Sequence, residues 1–275
     1  MDTQVDLFIE SNGPPPLDAL VSARLFFEEQ EQRFSRFRPT SLLSALNRGE
    51  TIDEPWFVAG CRLALEAHAF TGGLFNPMVL PALTAAGYDR TFGEVAGGGA
   101  PVALPAPDPH ECLVIEGQRV TLKHGQLDLG GIVKGWTVDC AVEHLRARYP
   151  DVMLNAGGDL RAEGSEAGRE GWLLAVEGLD GADAWTGTMT GAMATSTTLK
   201  RRWQTTSGAT AHHLIDPRSG LPAESPYVQV TAWAAECWRA EVWAKAVLIG
   251  GQHGMEAGRA AGHQAFGIHT ASWPA

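Results

Sequence analysis

The chain lacks any uninterrupted apolar run of about 18 residues, so the sequence offers no membrane-spanning helix. It also lacks a basic, apolar-cored opening. Met1 to Gly13 alternates instead, with Val5, Leu7 and Ile9 set against Asp6, Phe8 and Glu10, the pattern of a half-buried strand rather than a leader peptide. Cysteine is scarce: Cys61, Cys112, Cys140 and Cys237 are scattered, with no CxxC pair. They read as small buried hydrophobes of a reducing compartment, not as zinc or disulfide sites, and a cytoplasmic address is the expectation. Positive charge is in the minority, 21 basic against 32 acidic residues, for a formal net charge of −11. Such a surface repels nucleic acid and anionic lipid, so an anionic ligand must be met by locally placed lysine or arginine. Absent too are an internal repeat, a GxxxxGK[ST] phosphate loop and a GxGxxG dinucleotide turn.

What is present is apolar material, 44% of 275 residues, ample for one large domain or two fused lobes. Pro14-Pro15-Pro16 opens a helix predicted over 17–34, with Leu17, Leu20, Val21, Leu25 and Phe26 on one face. A second helix, 56–70, stops at Gly72-Gly73. The stretch 97–109 is rich in Gly, Pro and Ala and reads as a flexible insertion. A hairpin follows, Leu113–Ile115 and Val120–Leu122 about a Glu116-Gly117 turn. A strand over 127–129 leads into Gly130-Gly131 and a helix over 132–149. Strands are expected over 152–154, 172–176, 185–189 and 228–233, and a last helix over 240–249. Strands and helices interspersed without strict βαβ alternation indicate an α+β or mixed α/β fold.

Four segments carry candidate chemistry. In Leu127-Asp128-Leu129-Gly130-Gly131-Ile132-Val133-Lys134 a strand runs through two glycines into a helix start. Free amides there attract anions, glycine admits a phosphate close to the backbone, and Lys134 adds charge; the plainer reading is a tight turn with a solvated lysine. Asn155-Ala156-Gly157-Gly158-Asp159 follows an apolar strand and is either a ligand loop or a hairpin turn. In Ala211-His212-His213-Leu214-Ile215-Asp216-Pro217-Arg218-Ser219-Gly220 the adjacent histidines point to opposite faces of a strand and so do not share a metal ion. Thr195 and Ser196 close an apolar stretch before the basic cluster Lys200-Arg201-Arg202.

The order of these segments resembles the FAD:protein FMN transferases, the ApbE-type family, over nearly the whole chain. The similarity runs from Met1-Asp2-Thr3 through Phe34-Ser35-Arg36-Phe37-Arg38-Pro39-Thr40-Ser41 to Leu46-Asn47, then Gly73-Leu74-Phe75-Asn76-Pro77 and the three later motifs. The resemblance implies one domain of two intimately packed lobes, with mixed sheets and flanking helices. It implies that FMN moves from FAD to a Thr or Ser hydroxyl of an acceptor protein, with release of AMP. Water in place of the acceptor would make the same site an FAD pyrophosphatase, and a site without chemistry would leave a flavin carrier. The resemblance further places Asp128, Gly130, Gly131 and Lys134 at FAD. Met1, Phe37, Phe75 and Asn76 would border the flavin cleft. Asn155, Gly157, Gly158, Asp159, Thr195 and Ser196 would line it. Leu214 or Ile215 would touch the cofactor, and His213 would be the general base.

Family members hold Mg²⁺ with the Gly131 carbonyl, an Asp on the last helix and a Thr four residues on. Here those two positions are Glu241 and Lys245. Glu preceding Lys by four on one helix face is the favourable order for a pair. The expectation is that the Lys245 ammonium takes the ion's place, with Glu241 its partner and Mg²⁺ less needed.

Overall fold

A computed structural model of the chain describes residues 3–11, 13, 14, 16–95 and 97–269. Strand β1 (Val5–Ile9) is followed by α1 (Leu17–Phe34), α2 (Leu42–Asn47), β2 (Ile52–Asp53) and α3 (Pro55–Phe70). Then come α4 (Leu80–Ala85), a 3₁₀ turn (Phe92–Glu94), α5 (Pro109–Cys112) and the hairpin β3 (Leu113–Glu116) with β4 (Arg119–Leu122). Helix α6 (Val133–Arg146) precedes β5 (Val152–Ala156), β6 (Asp159–Glu163), β7 (Trp172–Glu177), β8 (Asp183–Met189) and β9 (Gly191–Thr197). Four short strands follow, β10 (Arg202–Gln204), β11 (Thr210–His212), β12 (Ile215–Asp216) and β13 (Leu221–Pro222). The last elements are β14 (Tyr227–Ala234), α7 (Cys237–Ala260) and β15 (Gln264–His269).

Six strands form an antiparallel sheet in the order β1-β5-β6-β9-β14-β15. Strand alternation gives it two apolar faces. Val152, Leu154, Ala156 and Ala192 face α6 and α1 in one core, while Met153, Leu160 and Met193 meet Trp172, Leu174 and Val176 of the β7–β8 ribbon in another. Helix α7 runs beside α6 on the first face and crosses β9 and β14. A second layer of α2, α3 and the sheet β2-β4-β3 buries Leu43, Leu46, Phe57 and Val120 against Leu127, Leu129 and Ile132, the approach to α6. The chain is therefore α+β, with mostly antiparallel sheets.

Several expectations need correction. Helix α1 has the predicted span but buries Ala19, Ala23, Phe27, Gln30 and Phe34, leaving Leu17, Leu20, Val21 and Leu25 at least half exposed. Alanines at i and i+4 let the helix lie close to its neighbours, which the bulkier leucine face would prevent. Residues 127–129 form no strand. Asn47 Nδ2 donates to the Leu127 carbonyl at 2.9 Å, its Oδ1 accepts from the Leu127 amide at 2.7 Å, and the Asp128 amide goes to Pro77 O at 2.8 Å. A side-chain amide thus satisfies the backbone where a sheet neighbour would have. The last helix extends to Ala260 but breaks at Gly251 (φ 58°, ψ −136°), just beyond the expected end. Apart from these corrections, the segment 97–109 makes backbone bonds to its surroundings through Gly98 N to Gln204 O, Ala100 N to Ala85 O and Ala106 N to Pro217 O.

Candidate active site

The site is organised by the start of α6. Residues 129–131 turn tightly, and the Leu129 carbonyl accepts from the amides of Ile132 (3.1 Å) and Val133 (3.0 Å). Asp128 stiffens the turn from the other side. Its Oδ1 accepts the Gly130 amide at 2.7 Å and its Oδ2 lies 3.2 Å from Arg36 Nε. A methyl group at Gly131 would stand 3.2 Å from the Phe75 ring and 3.4 Å from Lys245 Cε, so these side chains close over the bare turn.

The glycine hairpin approaches this turn. Gly157 (φ 61°) and Gly158 (φ 95°) join β5 to β6 in left-handed backbone, and Asn155 Oδ1 accepts the Gly158 amide at 2.9 Å. The hairpin reading is thus realised, and it delivers chemistry as well. Lys134 Nζ donates to the Ala156 carbonyl at 2.8 Å and forms an ion pair with the buried Asp159. Burial works against the Lys134 ammonium, but the carboxylates of Asp159 and Glu241 more than offset it and raise its pKa. Burial is also the main reason that Asp159 holds its proton more tightly than usual, in spite of Lys134.

Helix α7 supplies a second ion pair. Glu241 is buried, its Oε1 3.0 Å from Lys245 Nζ and its Oε2 accepting the Gly135 amide at 2.8 Å. Burial opposes the Glu241 carboxylate, yet Lys245, Lys134 and that amide together hold its pKa below the ordinary value. The expected Glu241–Lys245 pair is therefore formed. For Mg²⁺ these residues are a poor fit. The ion wants near-octahedral oxygen ligands at short range. Both Glu241 oxygens are engaged, position 245 presents an ammonium, and among the described residues no three His, Cys, Asp or Glu side chains cluster to hold a metal.

His213 lies just past β11, half-buried, its amide bonded to Arg201 O at 3.2 Å and its Nδ1 buried without a partner among the described residues. Burial first, then the charges of Arg201 and Lys245, push its pKa down to about 3, so the ring is neutral. His212 is occupied elsewhere. Its Nδ1 accepts the Leu214 amide at 3.3 Å and its Nε2 lies 3.2 Å from Ala223 O. Leu214 and Ile215 are buried in two different cores.

Other expected residues are not all together. Thr195 and Ser196 lie on opposite faces of β9: the Thr195 hydroxyl pairs with that of Thr231 at 2.9 Å, while Ser196 shares the face of Ala192. Asn76 holds the Met78 amide at 2.9 Å and the Pro107 carbonyl at 3.0 Å. Phe37 carries the Arg36 guanidinium 4.1 Å from its ring centre. Met1 lies outside the described residues. Sequence reasoning missed Arg36, whose side chain is nearly buried, which grips Asp128 and whose Nη2 has no partner among the described residues. It also missed Asn47, the clamp on Leu127. Both contacts span about ninety and eighty residues of chain and have no local signal.

A glycine turn at a helix start, with one lysine in the first helical turn, a second whose stem lies against the glycine, and a buried carboxylate partner for each, is the kind of site that receives a phosphate ester. The chain belongs to the ApbE family, whose model matches residues 1–266. A relative from Vibrio cholerae serotype O1, named FAD:protein FMN transferase, is 28% identical over 247 residues, covering 82% of this chain and 71% of the relative. One of the same name from Treponema pallidum is 27% identical, covering 84% and 71%. In fold, the chain is similar to the apbE protein of Thermotoga maritima, with a TM-score of 0.86 at 20% identity, covering 98% of this chain and 92% of the other.

Proposed function

We propose that this protein is a flavin transferase that moves FMN from FAD to a Thr or Ser hydroxyl of an acceptor protein and releases AMP. The observation that carries this reading is the Gly130-Gly131 turn at the start of α6, with the Lys245 stem against Gly131, Lys134 in the first helical turn paired with Asp159, and a neutral His213 near enough to Lys245 to feel its charge. The pyrophosphate of FAD would lie against that turn at the N-terminal end of α6, where partial positive charge faces it. The acceptor oxygen attacks the FMN-side phosphorus as the bond from that phosphorus to the bridging oxygen breaks. The electron pair leaves with AMP, and the hydroxyl proton passes to His213. A ring with a pKa of about 3 is a weak base in the free protein. Burial is the largest cause of that depression and the charges of Arg201 and Lys245 add to it; an anionic pyrophosphate beside Lys245 would offset the share that Lys245 contributes. Among the described residues no helix is long and apolar enough to cross a membrane; a cytoplasmic setting fits the unpaired, mostly buried cysteines.

The test is to incubate the protein with FAD and candidate acceptor proteins and to read acceptor mass. A gain of one FMN with AMP released is the expected result. Free FMN and AMP formed equally fast without an acceptor would replace transferase by pyrophosphatase, and intact FAD would replace it by a flavin carrier.

A further inference from the structure

We propose that Lys245 is a catalytic residue of this chain: a resident ammonium, held by Glu241 at the Gly131 turn, that neutralises the FAD pyrophosphate in place of a divalent cation. The proposal rests on the flavin-transfer reading above. Its ground is the arrangement of charge at the turn. The two lysines come from α6 and α7: the Lys245 stem lies against Gly131, the Lys134 amine turns to the glycine hairpin, and each amine is held by its own buried carboxylate, Asp159 or Glu241. The set is neutral by itself, so two ammonium groups are kept in a largely dry place without a ligand. The Lys245 stem passes within reach of Gly131, where no side chain intervenes between it and the bare backbone. Among the described residues its amine has the Glu241 Oε1 at 3.0 Å and the Glu241 carbonyl at 3.4 Å as partners, and so keeps a proton for a ligand.

The same geometry explains why an ion is superfluous. Glu241 Oε2 is turned away to the Gly135 amide, where it caps α6, and Oε1 already faces a cation. A divalent ion at Glu241 would have to displace the ammonium and then stand against it. As the bridging oxygen departs with AMP, the charge growing on it meets an ammonium already in position.

The experiment titrates FAD into metal-stripped protein by calorimetry, in EDTA and again with Mg²⁺, and follows acceptor flavinylation under both conditions. The expected results are equal affinity and continued transfer in EDTA. Lys245→Met should weaken FAD binding about tenfold or more and slow transfer by roughly 10²-fold, whereas Lys245→Arg should keep most of both. Because Lys245→Met strands a buried carboxylate, Glu241→Gln with Lys245→Met is made as well; it removes both charges, its thermal melting reports folding, and it should melt normally yet bind FAD weakly. Glu241→Asp with Lys245→Thr should make FAD binding respond to Mg²⁺. Wild-type FAD binding that is abolished by EDTA and restored by Mg²⁺ overturns the assignment alone, as does a well-folded double variant that binds FAD like the wild type. Failure of FAD to bind under either condition overturns the flavin reading, and the assignment with it.

Discussion

The proposed reaction gives Lys134 and His213 different parts, and single substitutions would separate them. Lys134 grips Asp159 and the Ala156 carbonyl, and in the proposed reaction it would face the pyrophosphate. Losing a charge-assisted contact of roughly 1.5–3 kcal/mol, Lys134→Ala should bind FAD about tenfold or more weakly, as calorimetry would show. Unchanged affinity would remove Lys134 from the site. Among the described residues His213 Nδ1 has no bonding partner, so that nitrogen is open to a ligand. His213→Ala should spare FAD affinity and cut turnover by roughly 10²–10⁴-fold in single-turnover assays. His212, which ties Leu214 to Ala223, should instead show its effect in melting temperature, with a far smaller loss of rate. Matching rate losses from the two histidines would reduce both to structural roles.

Helices α6 and α7 cap one another, and this fixes the spacing of the two lysines. Glu241 of α7 takes the Gly135 amide of α6; Asp139 of α6 takes the Cys237 (2.8 Å) and Trp238 (2.9 Å) amides that open α7. Burial pushes the Asp139 carboxyl up to about 6, opposed by those amides and by Arg161. Gly135 is the point of contact. A methyl group there would lie 2.9 Å from the Cys237 carbonyl and from Glu241 Oε2, one of them backbone that cannot swing aside. Gly135→Ala gains up to about 1 kcal/mol in helix propensity, but overpacking at such a contact costs about 1–3 kcal/mol. The variant should therefore unfold at lower urea and bind FAD more weakly, because Lys245 moves with α7. A raised urea midpoint would show that the crossing has slack. Very little of this was legible in the sequence. The span of α1 and the glycine motifs were, because periodicity and turn residues are local. The face α1 buries, the Asn47 clamp and the Asp139 cap were not, because each depends on partners brought together only by the folded chain.

At the scale of the whole molecule, an acidic chain of net charge −11 keeps a neutral imidazole beside two cations, Arg201 and Lys245. Global stability feels this through the proton. The His213 pKa falls from 6.5 to about 3 on folding, so between those limits the unfolded chain binds a proton that the folded chain refuses. Unfolding is then favoured as pH falls: the contribution is fully present above about 6.5 and is lost progressively toward 3. Asp139 acts in the opposite sense, since its raised pKa favours the folded state on the acid side and that benefit is lost as pH rises through about 6. The two partly cancel in the wild type, and a glutamine at 213 removes only the histidine's share. Any fixed packing cost of His213→Gln is the same at every pH, so the difference between variant and wild type isolates the proton. That difference should move in the variant's favour as pH falls from 7 to 5, by about 2 kcal/mol at the slope of roughly 1.4 kcal/mol per pH unit. Urea unfolding of both proteins across that range measures it. A difference that stays constant with pH would mean that folded His213 takes up its proton as readily as an unfolded one, and would place the ring in water, away from Lys245.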